Sequence, residues 1–221
     1  MIEYDTIEDE KSGLACKIYY DDSSYNPRRD MYNLCKLVAP ERDRYIESEC
    51  DLGLDWCDCE HDEEILDSKN VYMWRPIYRY EHGGVAHSMG SFNDPWDSGQ
   101  VGYIIALRED VEKEWGKDKV DTPEVEELVL SNMRGEIQLF SDYCDGQVYG
   151  FRVVDPDECT INECWGFFGA DGLREIEDEF EAACRDYLLE QEEERLKEHA
   201  EANPLLLASG VDVEKLYEKE A

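Results

Sequence analysis

The stretch PWDSGQVGYIIAL, residues 95–107, sets an acid, a hydroxyl and two glycines just ahead of an apolar run. As chemistry, Asp97 would serve as a base and Ser98 as a nucleophile, with His82 or His87 brought near by a preceding hairpin. The strand-turn-helix elbow that presents a G-x-S-x-G nucleophile is absent, because the glycine-rich turn precedes a strand. The favoured reading is a tight turn that aims a core strand. In it Asp97 caps backbone donors, Gly99 supplies a positive φ and Trp96 packs under the sheet.

Sulfur offers a second chemistry. Cys50, Cys57, Cys59 and His61, in CDLGLDWCDCEH, are the ligand types of a Cys₃His zinc site. C-x-C replaces the usual C-x₂-C, and no second ligand pair follows. Nearby Asp55, Asp58, Glu60 and Asp62 raise thiol pKa values and disfavour reactive thiolates. Free thiols in an acidic loop are the preferred reading, with no metal and no cofactor. Cys164, in ECWGFFG, is a candidate nucleophile for His82 or His87, but its aromatic neighbours suggest a buried strand cysteine. The carboxylates are too numerous for spacing to single out an acid/base pair. No EF-hand pattern occurs.

Charge is the dominant feature. The chain of 221 residues holds 56 acidic and 22 basic residues, a formal net charge of -34. Such a field repels nucleic acids and anionic membranes and attracts basic surfaces. Direct nucleic-acid binding and membrane association are therefore not expected. Residues 41–67 carry 12 acidic and 2 basic residues; residues 171–201 carry 13 and 4. Halophily is a competing cause of acidity, but nine cysteines and the retained lysines sit poorly with it. The odd cysteine count, without framework spacing, reads as reduced thiols in a cytosol. No run approaches the ~18 apolar residues of a membrane span, and the N-terminus shows no secretory signal.

These groups need elements to hold them. Leu14–Tyr20, Val71–Tyr80, the run VAHSMG after Gly83-Gly84, Val101–Leu107, Val148–Val154 and Glu163–Phe168 read as strands. Pro76 marks an edge or a bulge. Residues 30–46 are open between strand and helix. Arg108–Trp115 reads as a short helix closed by Gly116. Thr122 caps a longer one, with Pro123 at its first position and apolar residues at helical spacing to about Asp142. A long helix opens at Gly169–Gly172, with Leu173, Ile176, Phe180, Ala183, Cys184, Tyr187, Leu188 and Gln191 on one stripe. The sum is α+β: a mostly antiparallel sheet with helices on one face and a long acidic C-terminal helix. Residues 1–200 read as one domain with an acidic insertion at about 41–67, and 201–221 as a tail.

The segments YRYEHGGVAHSMGSFNDPWDSGQVGYIIALREDVEKEWG, GEIQLFSDYCDGQVYGFRV and ECWGFFG resemble a family of uncharacterised proteins from bacteriophages and mobile elements. That family carries PWDSGQVG(F/Y)I, G(D/Q)VYGF and CWGF(Y/F)G motifs. The resemblance covers about half the chain and implies a viral or plasmid accessory protein, but no reaction; the expected location is the host cell cytoplasm. Combined with the charge, it leads to a non-enzymatic anti-defence protein. The expected partner is a host restriction, CRISPR or related immune complex, whose basic nucleic-acid cleft the acidic chain occupies as a DNA mimic. The carboxylates expected to bind it are Glu60, Asp62, Glu63 and Glu64 in the insertion, and Glu175, Asp178, Glu179, Glu190, Glu193 and Glu194 on the C-terminal helix. Two alternatives are carried: a small enzyme or ligand-binding protein with a pocket near Trp96, Asp97, Ser98, His82 and His87, and a structural protein that forms a homodimer through that helix.

Overall fold

A computed structural model describes residues 1–39, 43–49, 52, 59–68 and 70–202. The chain order is β1 (Glu3–Glu8), β2 (Ala15–Tyr20), α1 (Pro27–Asp30), β3 (Cys35–Val38), α2 (Cys59–Ser68), β4 (Val71–Glu81), β5 (Val85–Ser88) and β6 (Ser98–Leu107). There follow α3 (Arg108–Trp115), α4 (Pro123–Cys144), β7 (Val148–Val154), β8 (Thr160–Phe168) and α5 (Gly169–Ala202). The α+β class stands. The expected antiparallel sheet is two, each of four strands, ordered β1-β2-β7-β8 and β3-β6-β4-β5. The chain also divides into two compact units. The first comprises Tyr20–Tyr149 with Gly166–Gly172; the second comprises Ile2–Tyr19, Gly150–Trp165 and the chain from Leu173 onward.

In the first unit, β6 is the centre of its sheet, as the apolar run VGYIIAL suggests. Its side chains alternate between two buried clusters. Ile104 and Ala106 join Leu37, Ile77 and the α4 residues Val125, Val129, Met133, Ile137 and Phe140. Tyr103 and Ile105 join Val38 and Leu66 of α2 on the other side. A strand covered on both faces loses polar alternation, which is why it reads as a continuous apolar run. The expected helix face is thus joined by an α2 contact on the opposite face.

The local signals explain the elements. Thr122 Oγ1 accepts from Val125 N at 3.4 Å, and Pro123 occupies the first turn of α4. Gly116 closes α3 at φ 90, its N–H donating to Glu112 O. Gly83, at φ 75, makes the β4–β5 turn. Pro76 pairs across to Tyr103 of β6, whereas β5 meets β4 only from Tyr78 to Glu81. The proline therefore sits where one side of β4 is an edge, next to a register shift between Ile77 and Tyr78.

A buried arginine ties the first unit together. Arg28, its side chain only 6% exposed, uses its whole guanidinium fork. Nε and Nη2 donate to Glu49 at 2.9 Å each. Nη1 donates to Glu136 at 2.7 Å and to Asn33, and Nη2 also donates to Cys35 O. Glu136 in turn accepts from Leu34 N and Cys35 N. One cation thus joins α1, β3, the 47–49 segment and α4.

In the second unit, Cys16, Ile18, Phe151, Val153, Ile176 and Phe180 form the buried set. Gly150 on β7 lies under the Trp165 indole of β8; a β-carbon there would overlap the ring. The G of VYGF and the W of CWGF are therefore one packing feature. Cys16 is pushed up to about 12, by burial first and then by Cys184 of α5.

Candidate functional site

The 94–98 turn is real, but its parts are assigned differently from the expectation. The capping acid is Asp94, whose Oδ1 accepts from Trp96 N at 2.9 Å and Asp97 N at 3.1 Å. Those two backbone donors, Trp96 first, hold its carboxyl below the usual range. Gly99 is not among the glycines with positive φ. Trp96 does not pack under the sheet: it is 91% exposed. An Asp ahead of Pro95 starts the turn, and the chain leaves it directly into β6, so the indole has no wall to lie against.

Asp97 pairs with His82, Oδ2 to Nδ1 at 2.8 Å. Ser98 does not complete a triad, because its hydroxyl donates to Asp94 O. His87 is elsewhere on β5, 4% exposed, with its N–H bonded to Ser141 Oγ at 2.8 Å. Its ring lies against Phe140 at 4.8 Å and Tyr45 at 5.7 Å between centroids. Trp96, Asp97, Ser98 and His82 line none of four clefts among the described residues.

The sulfur candidates are also placed. Cys164 is exposed on β8, not buried, because the outward face of that strand is open; its Sγ reaches only Trp165 O, at 3.9 Å. Cys50 and Cys57 lie outside the described residues, and of Cys59 and His61 the backbone alone, in α2, is described. Among the described residues no group of three His, Cys, Asp or Glu could hold a metal. None of their helices is long and apolar enough to cross a membrane.

The acidic candidates separate. In α2, Glu63 and Glu64 are exposed, and Glu60 lies at the start of the helix. Asp62 is 0% exposed, so its carboxylate is no part of an outer surface. It faces inward because Leu66, four residues on and on the same face, is drawn into the core.

The six carboxylates named on α5 all reach solvent. Ile176, Phe180 and Cys184 are buried, and no residue from Arg185 to His199 is. The apolar stripe therefore ends earlier than the sequence suggests, with Leu188 39% exposed. Glu175, Asp178, Glu179, Asp186, Glu190, Glu193 and Glu194 are exposed on one side of the helix, a broad acidic ridge within an arc of about 160°. Asp186 was not in the expected set; its place seven residues after Glu179 and four before Glu190 is the signal that finds it. At a rise of ~1.5 Å per residue the seven carboxylates span about 28 Å of helix axis, in uneven steps of ~1.5 to ~10 Å. Lys197 lies 3.8 Å from Glu193 of the ridge.

No family model, curated protein or solved structure matches this chain.

Proposed function

We propose that this is a non-enzymatic interaction protein that occupies the basic nucleic-acid cleft of a host immune complex as an acidic mimic of DNA. The observation that carries the reading is the α5 ridge of solvent-facing carboxylates, which continues past Cys184, the last buried residue of the helix. Over about 28 Å its charges average one per ~5 Å of axis, sparser than the ~3.4 Å per phosphate along one DNA strand. The net charge of -34 supports fast, steered association with a basic partner. The exposed Trp96 is of the type that anchors protein interfaces. The resemblance to bacteriophage and mobile-element proteins supports a viral setting in the host cytoplasm, with a restriction, CRISPR or related complex as the partner.

The test is competition. A complex of this protein with its partner should be displaced by duplex DNA, because both occupy one cleft. A stable ternary complex with DNA would contradict the reading.

A further inference from the structure

The first unit contains one cleft with a different chemistry. It has a volume of about 550 Å³ and lies among β4, β5 and α4. Its size falls within the roughly 300–1,000 Å³ of small-molecule sites. Arg75 enters from β4 and Arg134 from α4. Met89, Leu130 and Ile137 supply apolar wall. No Asp or Glu lines it, whereas three other clefts among the described residues each carry at least one. In a chain with 56 acidic residues this is a local reversal of charge.

Both guanidiniums are available. Arg75 is exposed and donates only to the Trp74 carbonyl, at 2.7 Å. Arg134 is exposed and has no carboxylate partner among the described residues. Ser88 Oγ accepts from Gly90 N at 3.0 Å, which leaves its proton to donate.

His87 is the independent observation. It contributes to the lining though only 4% exposed, and neither Nδ1 nor Nε2 has a hydrogen-bond partner. A buried polar atom left so costs about 1–3 kcal/mol, and native proteins rarely carry two on one ring. A ligand acceptor reaching the ring would satisfy one of them.

We propose that this cleft binds a small phosphate monoester, with Arg75 and Arg134 on the phosphate, Ser88 and one ring N–H of His87 as further donors, and an apolar body against Met89, Leu130 and Ile137. The site is independent of the acidic ridge on α5, and either reading stands without the other.

The test is a titration of the full chain with phenyl phosphate, inorganic phosphate and benzoate, followed by the NMR resonances of the His87 ring. The expected result is saturable shifts with phenyl phosphate, weaker binding of inorganic phosphate and weaker still of benzoate. R75A and R134A should each weaken phenyl phosphate binding by about tenfold or more, the loss of one charge-assisted contact. Both side chains are exposed, so melting should be unchanged. Absence of saturable shifts, or unaltered affinity in both variants, overturns the proposal. Benzoate binding as tightly as phenyl phosphate overturns the phosphate assignment, and inorganic phosphate binding as tightly overturns the apolar one.

Discussion

Replacing Arg28 by methionine should cost more stability than any single change on the acidic surface. The guanidinium is 6% exposed, and its partners Glu49 and Glu136 are 22% and 12% exposed. Methionine fills a similar volume but leaves the partly buried Glu136 and Glu49 carboxylates without their cation. Removing one member of a buried ion-pair network costs about 3–5 kcal/mol. For a chain of this size each kcal/mol is worth roughly 2–4 °C, so a drop in melting temperature of about 6–20 °C is expected. Arg28→Lys should fall between, since one ammonium cannot reproduce contacts to Glu49, Glu136, Asn33 and the Cys35 carbonyl at once. Adding Glu49→Gln and Glu136→Gln to the Arg28→Met chain should recover part of the loss, because the uncompensated charges are gone. The assay is urea unfolding followed by tryptophan fluorescence, for the native chain and the three variants side by side. A loss below about 1 kcal/mol in Arg28→Met would refute the reasoning, because it is the value of a solvent-screened surface pair.

Other outcomes follow from the same structure. His87 is depressed from 6.5 to about 4, by burial first and then by Arg79. The unfolded chain takes up that proton first, so its stabilisation is full above about 6.5 and is lost as pH falls toward 4, by an amount on the order of 3 kcal/mol. A stability–pH curve should show this slope in the native chain and not in His87→Phe. Gly150→Ala should displace the Trp165 ring and lower stability, read as an altered near-ultraviolet circular dichroism signal, while Gly99→Ala, with open space around its Cα, should not. Asp94→Ala should speed amide exchange at Trp96 and Asp97, which Asp94 holds, whereas Asp97→Ala should leave those two amides protected.

What the sequence made legible is what apolar period and turn chemistry specify. Strands β2, β4, β6 and β7, the Thr122 cap and the Gly83 turn follow from local residues, and so does the α+β class. β1 was missed because it is an edge strand with only two half-buried residues, so EYDTIE has no period-2 apolar signal. The division into two sheets depends on long-range pairing that no local pattern encodes. The exposure of Trp96 was illegible for a similar reason. An aromatic residue beside a core strand is usually covered, and only the path of the turn decides otherwise. On the candidate surface, helical spacing placed the α5 carboxylates correctly. It could not show that Asp62 turns inward with Leu66, because in a block so rich in acid the buried member looks like the rest. The arginines of the β4–α4 cleft lie 59 positions apart and carry no motif.

The central claim is that the α5 carboxylates engage a defence complex. Phage plating efficiency would be measured on strains carrying single restriction, CRISPR or related systems. Each strain would express this protein, or the variant Glu175→Lys, Glu179→Lys, Glu190→Lys, Glu194→Lys, whose net charge is eight units less negative than -34. The account predicts restored plating in at least one strain with the native chain, and loss of that rescue in a variant that melts at the same temperature. Equal rescue by the variant, or no rescue in any strain, would contradict it.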